Sequence, residues 1–233
     1  MTNGNIKCRL YNARMLPFTT RIESRDMNSE LSPPVAPVDD LNGRRAAPSS
    51  INLPLVEERA AGEDVQRLFA QYRERFSRTE VPGILLCFAT NSALLKGILQ
   101  IAEEFLFGES LLSRRHKEML ATYLSRQNAC PYCADSHGAL LGAQGGSPEI
   151  ICALQDGDLN PELFTKAELA LLEFAGKVNA ASSALTRADV EAAMDAGWTE
   201  TQVAETVHIA ALFAAFNRIA NAFGLPSPYP QGF

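Results

Sequence analysis

From Glu63 onward the apolar positions recur at helical intervals. Val65, Leu68, Phe69, Tyr72 and Phe76 fall three or four residues apart, which places them on one stripe of a helix. Pro82-Gly83 ends that pattern, and Ile84 to Ala89 is a short apolar run. A second helical pattern covers about 92–107. Ser113 can accept N–H bonds at the start of a third helix over 113–127, with Met119, Leu120, Tyr123 and Leu124 on its inner face. The pattern stops near Asn128 and resumes over 130–143. Pro131 suits the first turn there, because its missing N–H has no helical partner at that position anyway. Gly145-Gly146 ends this helix, and Ser147-Pro148 opens a short one through Cys152 and Leu154. Thr165 with Glu168, Thr186 with Asp189 and Thr199 with Gln202 have capping-box spacing and open helices over 166–181, 187–196 and 200–223. No stretch alternates as a strand would, so the sequence predicts an all-α bundle. The segments Ala143 to Glu149 and Asp195 to Thr201 echo each other, each between two helices, which hints at two related helical units.

Residues 1–60 carry no such pattern. Pro17, Pro33, Pro34, Pro37, Pro48 and Pro54 stand among Asn, Ser and Arg, so this part is expected to be an extended arm and 61–233 the helical domain. The final pattern, Val203 to Phe223, is apolar on nearly every side and must be buried on nearly every side. A single short bundle cannot bury all of it, so a homo-oligomer, dimer or higher, is expected with an interface near this helix. Composition narrows the rest. A net charge of -6 over 233 residues argues against nucleic acid as the main partner. No run is read as spanning a bilayer and no secretory signal is visible, so a cytoplasmic protein is expected. Five cysteines do not form an even disulfide framework.

The chemistry gathers at Cys130-Pro131-Tyr132-Cys133, with His137 four residues on. If the helix starts near Cys130, both sulfurs and the imidazole share a stripe at i, i+3 and i+7. Both sulfurs then stand where the helix dipole and unpaired N–H groups favour a thiolate. Glu118 precedes the turn by about as many residues as His137 follows it. In an antiparallel hairpin the two are level, and a carboxylate there would fix the imidazole's tautomer. His137 would in turn accept the Cys133 proton. Plainer readings stand beside this one. The pair could be half of a zinc site, although three ligands on one rigid helix make a poor tetrahedron, or two inert core thiols. His137 could be a core histidine and Glu118 a solvated one. Cys87 and Cys152 lie in apolar runs and read as core, Cys8 as part of the arm. His116 reads as a surface residue and Trp198 as a packing anchor. Tyr132 and His208 are candidates for lining a substrate pocket.

Glu118 with Cys130-x-x-Cys133-x-x-x-His137 on a helical hairpin resembles the alkylhydroperoxidase D / carboxymuconolactone decarboxylase superfamily, in its peroxidase-related branch. The likeness runs from about Glu63 to the C-terminus and includes Phe216-Asn217-Arg218-Ile219-Ala220, similar to the family's closing helix. The resemblance implies an all-helical oligomer with thiol peroxidase activity on hydroperoxides and no resident cofactor or metal. It also implies that Cys133 is oxidised to sulfenic acid, that Cys130 supplies a proton and then closes a Cys130–Cys133 disulfide, and that Glu118 and His137 relay protons. An external dithiol, a lipoyl or thioredoxin-like carrier, would reduce the product. The pattern departs at Tyr132, where the best-characterised peroxidases carry a second histidine. Decarboxylase members generally lack the cysteine pair. Two alternatives remain: thiol–disulfide exchange without peroxide chemistry, and a non-enzymatic oligomer whose dithiol senses oxidation.

Overall fold

The structure, a computed structural model, describes residues 52–228, and the larger part of the expected arm lies outside them. Those described are helical, without strands: α1 (Glu63–Phe76), α2 (Gly83–Leu86), α3 (Ser92–Ala102), α4 (Arg114–Gln127), α5 (Pro131–Ala143), α6 (Pro148–Asp156), α7 (Lys166–Ala181), α8 (Arg187–Asp195) and α9 (Glu200–Phe223). A π-helical turn, Glu103–Phe107, continues α3. All three capping boxes form, and Ser113 and Ser147 accept N–H bonds at the starts of α4 and α6. The run after Pro82-Gly83 becomes α2, too short to show a periodicity of its own.

α4 is the central element. It packs against α5, α6, α7 and α9, and every residue from Lys117 to Ser125 is buried. The apolar stripe alone pointed to a one-sided helix. With neighbours all round, its polar side chains are enclosed too, and each has a partner. Lys117 Nζ donates to the Gly108 carbonyl at 3.0 Å, and Thr122 Oγ1 to the Glu118 carbonyl at 2.8 Å. Trp198 anchors the α8–α9 corner through Nε1–H to the Ala167 carbonyl at 2.7 Å, and the half-buried His116 ring meets it edge-on.

α9 buries Val203, Ile209, Ala210, Phe213, Phe216 and Ala220, while Ala204, His208, Ala211, Ala215 and Arg218 form an exposed stripe. By length and composition this helix could cross a bilayer, contrary to the expectation of no such run; its inner face packs on α4 and α7 as a core helix does. Leu94 and Ile101, seven residues apart on α3, are also exposed.

The apolar interior falls into two clusters. One gathers α4, α6, α7, α8 and the first half of α9 around Leu120, Leu124, Leu172 and Phe213. The other gathers α1, α2 and α3 around Phe69, Leu85, Phe88 and Leu95, with Phe216 and Ala220 from the end of α9. Leu55 and Val56, inside the expected arm, pack on this second cluster, and the Asn52 N–H donates to the Phe223 carbonyl at 2.8 Å. The cysteine pair belongs to the second cluster, beside its boundary with the first.

Candidate active site

The turn between α4 and α5 positions the sulfurs. Ala129 has φ 50°, the Ala129 N–H donates to the Arg126 carbonyl at 3.0 Å, and the Cys130 N–H donates to the Ser125 carbonyl at 2.9 Å. That is the double bond pattern of a Schellman helix end. Gly145, Gly157, Gly197 and Gly224 fill the same left-handed position where other helices end; here it is alanine. Cys130 closes α4 and, one residue before Pro131, is the N-cap of α5. Cys130 is 1% and Cys133 4% exposed.

Glu118 and His137 come together across the hairpin. His137 Nδ1 lies 2.6 Å from Glu118 Oε2. Beside a carboxylate that nitrogen carries the proton and donates it, which leaves Nε2 for proton exchange. The other carboxylate oxygen, Oε1, accepts from Arg114 Nε at 2.6 Å and from its second terminal nitrogen at 2.5 Å. Arg114 lies over the Phe107 ring at 4.3 Å, and Phe213 meets the His137 ring edge-on at 4.8 Å. Glu118 has no exposed surface. Burial would raise its pKa, but His137 and then Arg114 outweigh burial and hold the carboxyl below its ordinary range. Arg114 was not singled out from the sequence, although its i, i+4 spacing to Glu118 was a signal.

The sulfurs do not behave alike, contrary to the expectation that both gain from the helix start. The Cys133 thiol, hydrogen-bonded to Cys130, does most to stabilise the Cys130 thiolate. Burial opposes this, and the Cys133 backbone N–H and the Asn217 amide assist it, so the Cys130 pKa is lowered. Cys133, holding its proton beside that charge and buried, is pushed far up. Of the two, Cys130 is the more readily ionised, and the group that bears most on the Cys133 proton is Cys130.

Of the two pocket candidates, one packs beside the pair and the other lies elsewhere. The Tyr132 hydroxyl accepts the Ile84 N–H at 3.2 Å, so it pins the start of α2. Burial first of all raises its pKa. His208 is exposed on the side of α9 away from Asn217 and packs edge-on against Phe105. It is no part of this site. Cys87 is buried in the same cluster as the pair, its thiol pushed up to about 12 by burial. Cys152 is half-buried rather than core, and Cys8 lies outside the described residues. Among the described residues no group of three or more His, Cys, Asp or Glu side chains is arranged to hold a metal.

Comparison with known proteins agrees with this architecture. The profile of the carboxymuconolactone decarboxylase family matches residues 93–177, which include the whole hairpin. No curated protein matches the chain. Among solved structures, the chain is similar to an alkylhydroperoxidase AhpD core, an uncharacterized peroxidase-related protein from Ralstonia eutropha JMP134. The identity is 25%, over 78% of this chain and 94% of that one, with a TM-score of 0.69. It is also similar to an uncharacterized peroxidase-related protein from Silicibacter sp. TM1040, at 26% identity over 80% of this chain and 96% of that one, with a TM-score of 0.67. The debrominase Bmp8, solved with 2,3,4-tribromopyrrole, shares the fold at 15% identity over 80% of this chain and 96% of that one, with a TM-score of 0.57. The family match over residues 93–177 and the shared fold support the alkylhydroperoxidase D-like / carboxymuconolactone decarboxylase superfamily.

Proposed function

We propose that the chain is a thiol-dependent hydroperoxidase in which Cys130 and Cys133 are the redox pair. The observation that carries this reading is the buried dithiol at the start of α5, with an ionised carboxylate–imidazole couple on the same hairpin. The Cys130 thiolate takes the Cys133 proton as the Cys133 sulfur attacks the hydroperoxide. An S–O bond forms, the O–O bond breaks, and the leaving alkoxide takes a proton from the Cys130 thiol, giving alcohol and a Cys133 sulfenic acid. The Cys130 thiolate then attacks that sulfur, the disulfide closes, and the departing hydroxide is protonated to water through His137, which Glu118 holds in place. A dithiol carrier returns the pair to the reduced state by exchange. No cofactor enters this cycle.

Thiol–disulfide exchange without peroxide chemistry is favoured by one observation. The residue between the sulfurs is Tyr132, and its hydroxyl serves α2 rather than the sulfurs. In either reading the chain acts as a homo-oligomer, since Leu94 and Ile101 on α3 and the alanine stripe on α9 leave apolar surface uncovered.

The test is to mix reduced protein with an organic hydroperoxide and count thiols. Loss of two thiols per hydroperoxide consumed is expected. Cys130→Ser, lacking both the base and the resolving thiol, should react more slowly and stop at a trappable sulfenic acid, and Cys133→Ser should consume no peroxide. If the parent loses no thiols and Cys133→Ser behaves like it, the peroxidase reading fails. Turnover of a disulfide substrate in that case supports the exchange reading.

A further inference from the structure

Asn217 has no place in the proton path above, yet it is fully buried on a helix face otherwise made of Phe213, Phe216 and Ala220. A buried amide must have its hydrogen bonds satisfied, and the partners fix which way it points. Its Oδ1 accepts from Asn128 Nδ2 at 2.9 Å, so the nitrogen side of the amide faces the other way. There Nδ2 donates to Ser125 Oγ at 3.0 Å, which uses one of its two hydrogens. Asn128 is itself held. It exchanges reciprocal 3.0 Å bonds with Asn179, and Asn221, one turn beyond Asn217, donates to its carbonyl at 3.1 Å. The amide therefore cannot flip without breaking a chain of bonds across α4, α7 and α9. Ser125 also accepts the Cys130 N–H through its carbonyl at 2.9 Å, so the nitrogen side of the amide lies at the cysteine corner, where it works to lower the pKa of each thiol.

We propose that the Asn217 amide is a catalytic donor of this site, giving its second Nδ2 hydrogen to whichever sulfur of the pair carries negative charge. Asn128 and Ser125 are the positioning residues that hold it in that orientation. Asn217 makes and breaks no covalent bond. As the Cys133 proton passes to Cys130, the charge moves from one sulfur to the other, and one fixed N–H can follow it. A hydrogen bond to an ionised acceptor is roughly twice as strong as a neutral one, so the donor favours the thiolate form of the pair over the dithiol. This inference deepens the thiol reading above and rests on that pair being the reactive group.

The experiment is a pH titration of thiolate by its ultraviolet absorbance on the reduced full chain. Variants are Asn217→Leu, Ser125→Ala and Asn179→Ala, with circular dichroism as the control for folding. Asn217→Leu should raise the first thiolate midpoint by about one pH unit, which is a tenfold loss of thiolate at a fixed lower pH. Ser125→Ala should raise it by less. Asn179→Ala, which cuts the far end of the chain of amides, should leave it unchanged. A titration of Asn217→Leu that superimposes on the parent overturns the proposal, as does an Asn179→Ala shift of equal size, since that is the mark of a merely structural network. If Asn217→Leu does not fold, Ser125→Ala decides: a raised midpoint supports the proposal and an unmoved one overturns it. The titration uses no peroxide. A shifted midpoint in a protein that consumes no hydroperoxide removes the peroxidase reading and leaves the Asn217 donor standing, whereas turnover with an unshifted midpoint does the reverse.

Discussion

Replacing Glu118 by Gln removes one negative charge from a site where it is fully enclosed between Arg114 and His137. The shape is kept, so no cavity term enters. What is lost is two charge-assisted hydrogen-bonding partnerships, while Arg114 and His137 keep side chains that are only 25% and 16% exposed. Hydrogen bonds to charged groups contribute about 1.5–3 kcal/mol each, and breaking a buried pair by removing one partner costs about 3–5 kcal/mol. Gln can still accept from Arg114, so the expected loss is roughly 2–4 kcal/mol at neutral pH. For a domain of this size that is on the order of 5–15 °C in Tm. The pH dependence separates charge from shape. The folded-state pKa of Glu118 lies below its ordinary value, so its contribution is present above the unfolded carboxyl pKa of about 4.3 and is lost as pH falls through the folded one. Guanidinium unfolding followed by circular dichroism at pH 7 and in steps below pH ~4.3 should therefore show the gap between parent and Glu118→Gln closing towards acid. A gap that stays constant with pH, or is below ~1 kcal/mol at neutrality, would refute the account of Glu118 as an enclosed, ionised bridge.

Two further outcomes are expected. Ala129→Gly relieves a left-handed alanine, worth about 1–2 kcal/mol, against an unfolded-state entropy cost of about 0.4–1 kcal/mol. A slightly higher melting temperature should result, and a lower one would contradict the strain. Multi-angle light scattering of the reduced protein at micromolar concentration should give a mass above that of one chain. Leu94→Glu with Ile101→Glu should reduce it, whereas a monomeric parent would leave the exposed α3 and α9 stripes unexplained.

What could be read in advance was local. Thr165 with Glu168, Thr186 with Asp189 and Thr199 with Gln202 are bonds across three residues, so their spacing was sufficient, and all three boxes form. The level placement of Glu118 and His137 followed from the rise per residue on a hairpin with a short turn. The Gly145 and Gly197 segments that echo each other both end a helix at positive φ and start the next two residues later, at Ser147 and Thr199. The rest depended on contacts between distant elements. The Tyr132 hydroxyl reaches an N–H 48 residues earlier, and nothing in its own neighbourhood announces that. Asn217 was visible as a polar residue in an apolar helix, but its partners Ser125 and Asn128 lie on another helix and its end. The full enclosure of α4 requires four neighbours at once and leaves no periodic trace. The sulfurs sit at the start of one helix, Cys130 as its N-cap and Cys133 in its first turn, but their inequality arises from each other, and position alone could not rank them.

The near-complete burial of Cys130 and Cys133 has a practical consequence for any chemist probing them. A bulky maleimide or aromatic disulfide cannot contact either atom in the closed form, so its labelling rate gauges how often the cover over the pair opens. Two variants with identical acidity could then label at very different speeds, and two with different acidity at the same speed. Rankings of nucleophilicity in this protein belong to reagents small enough to pass through the closed form.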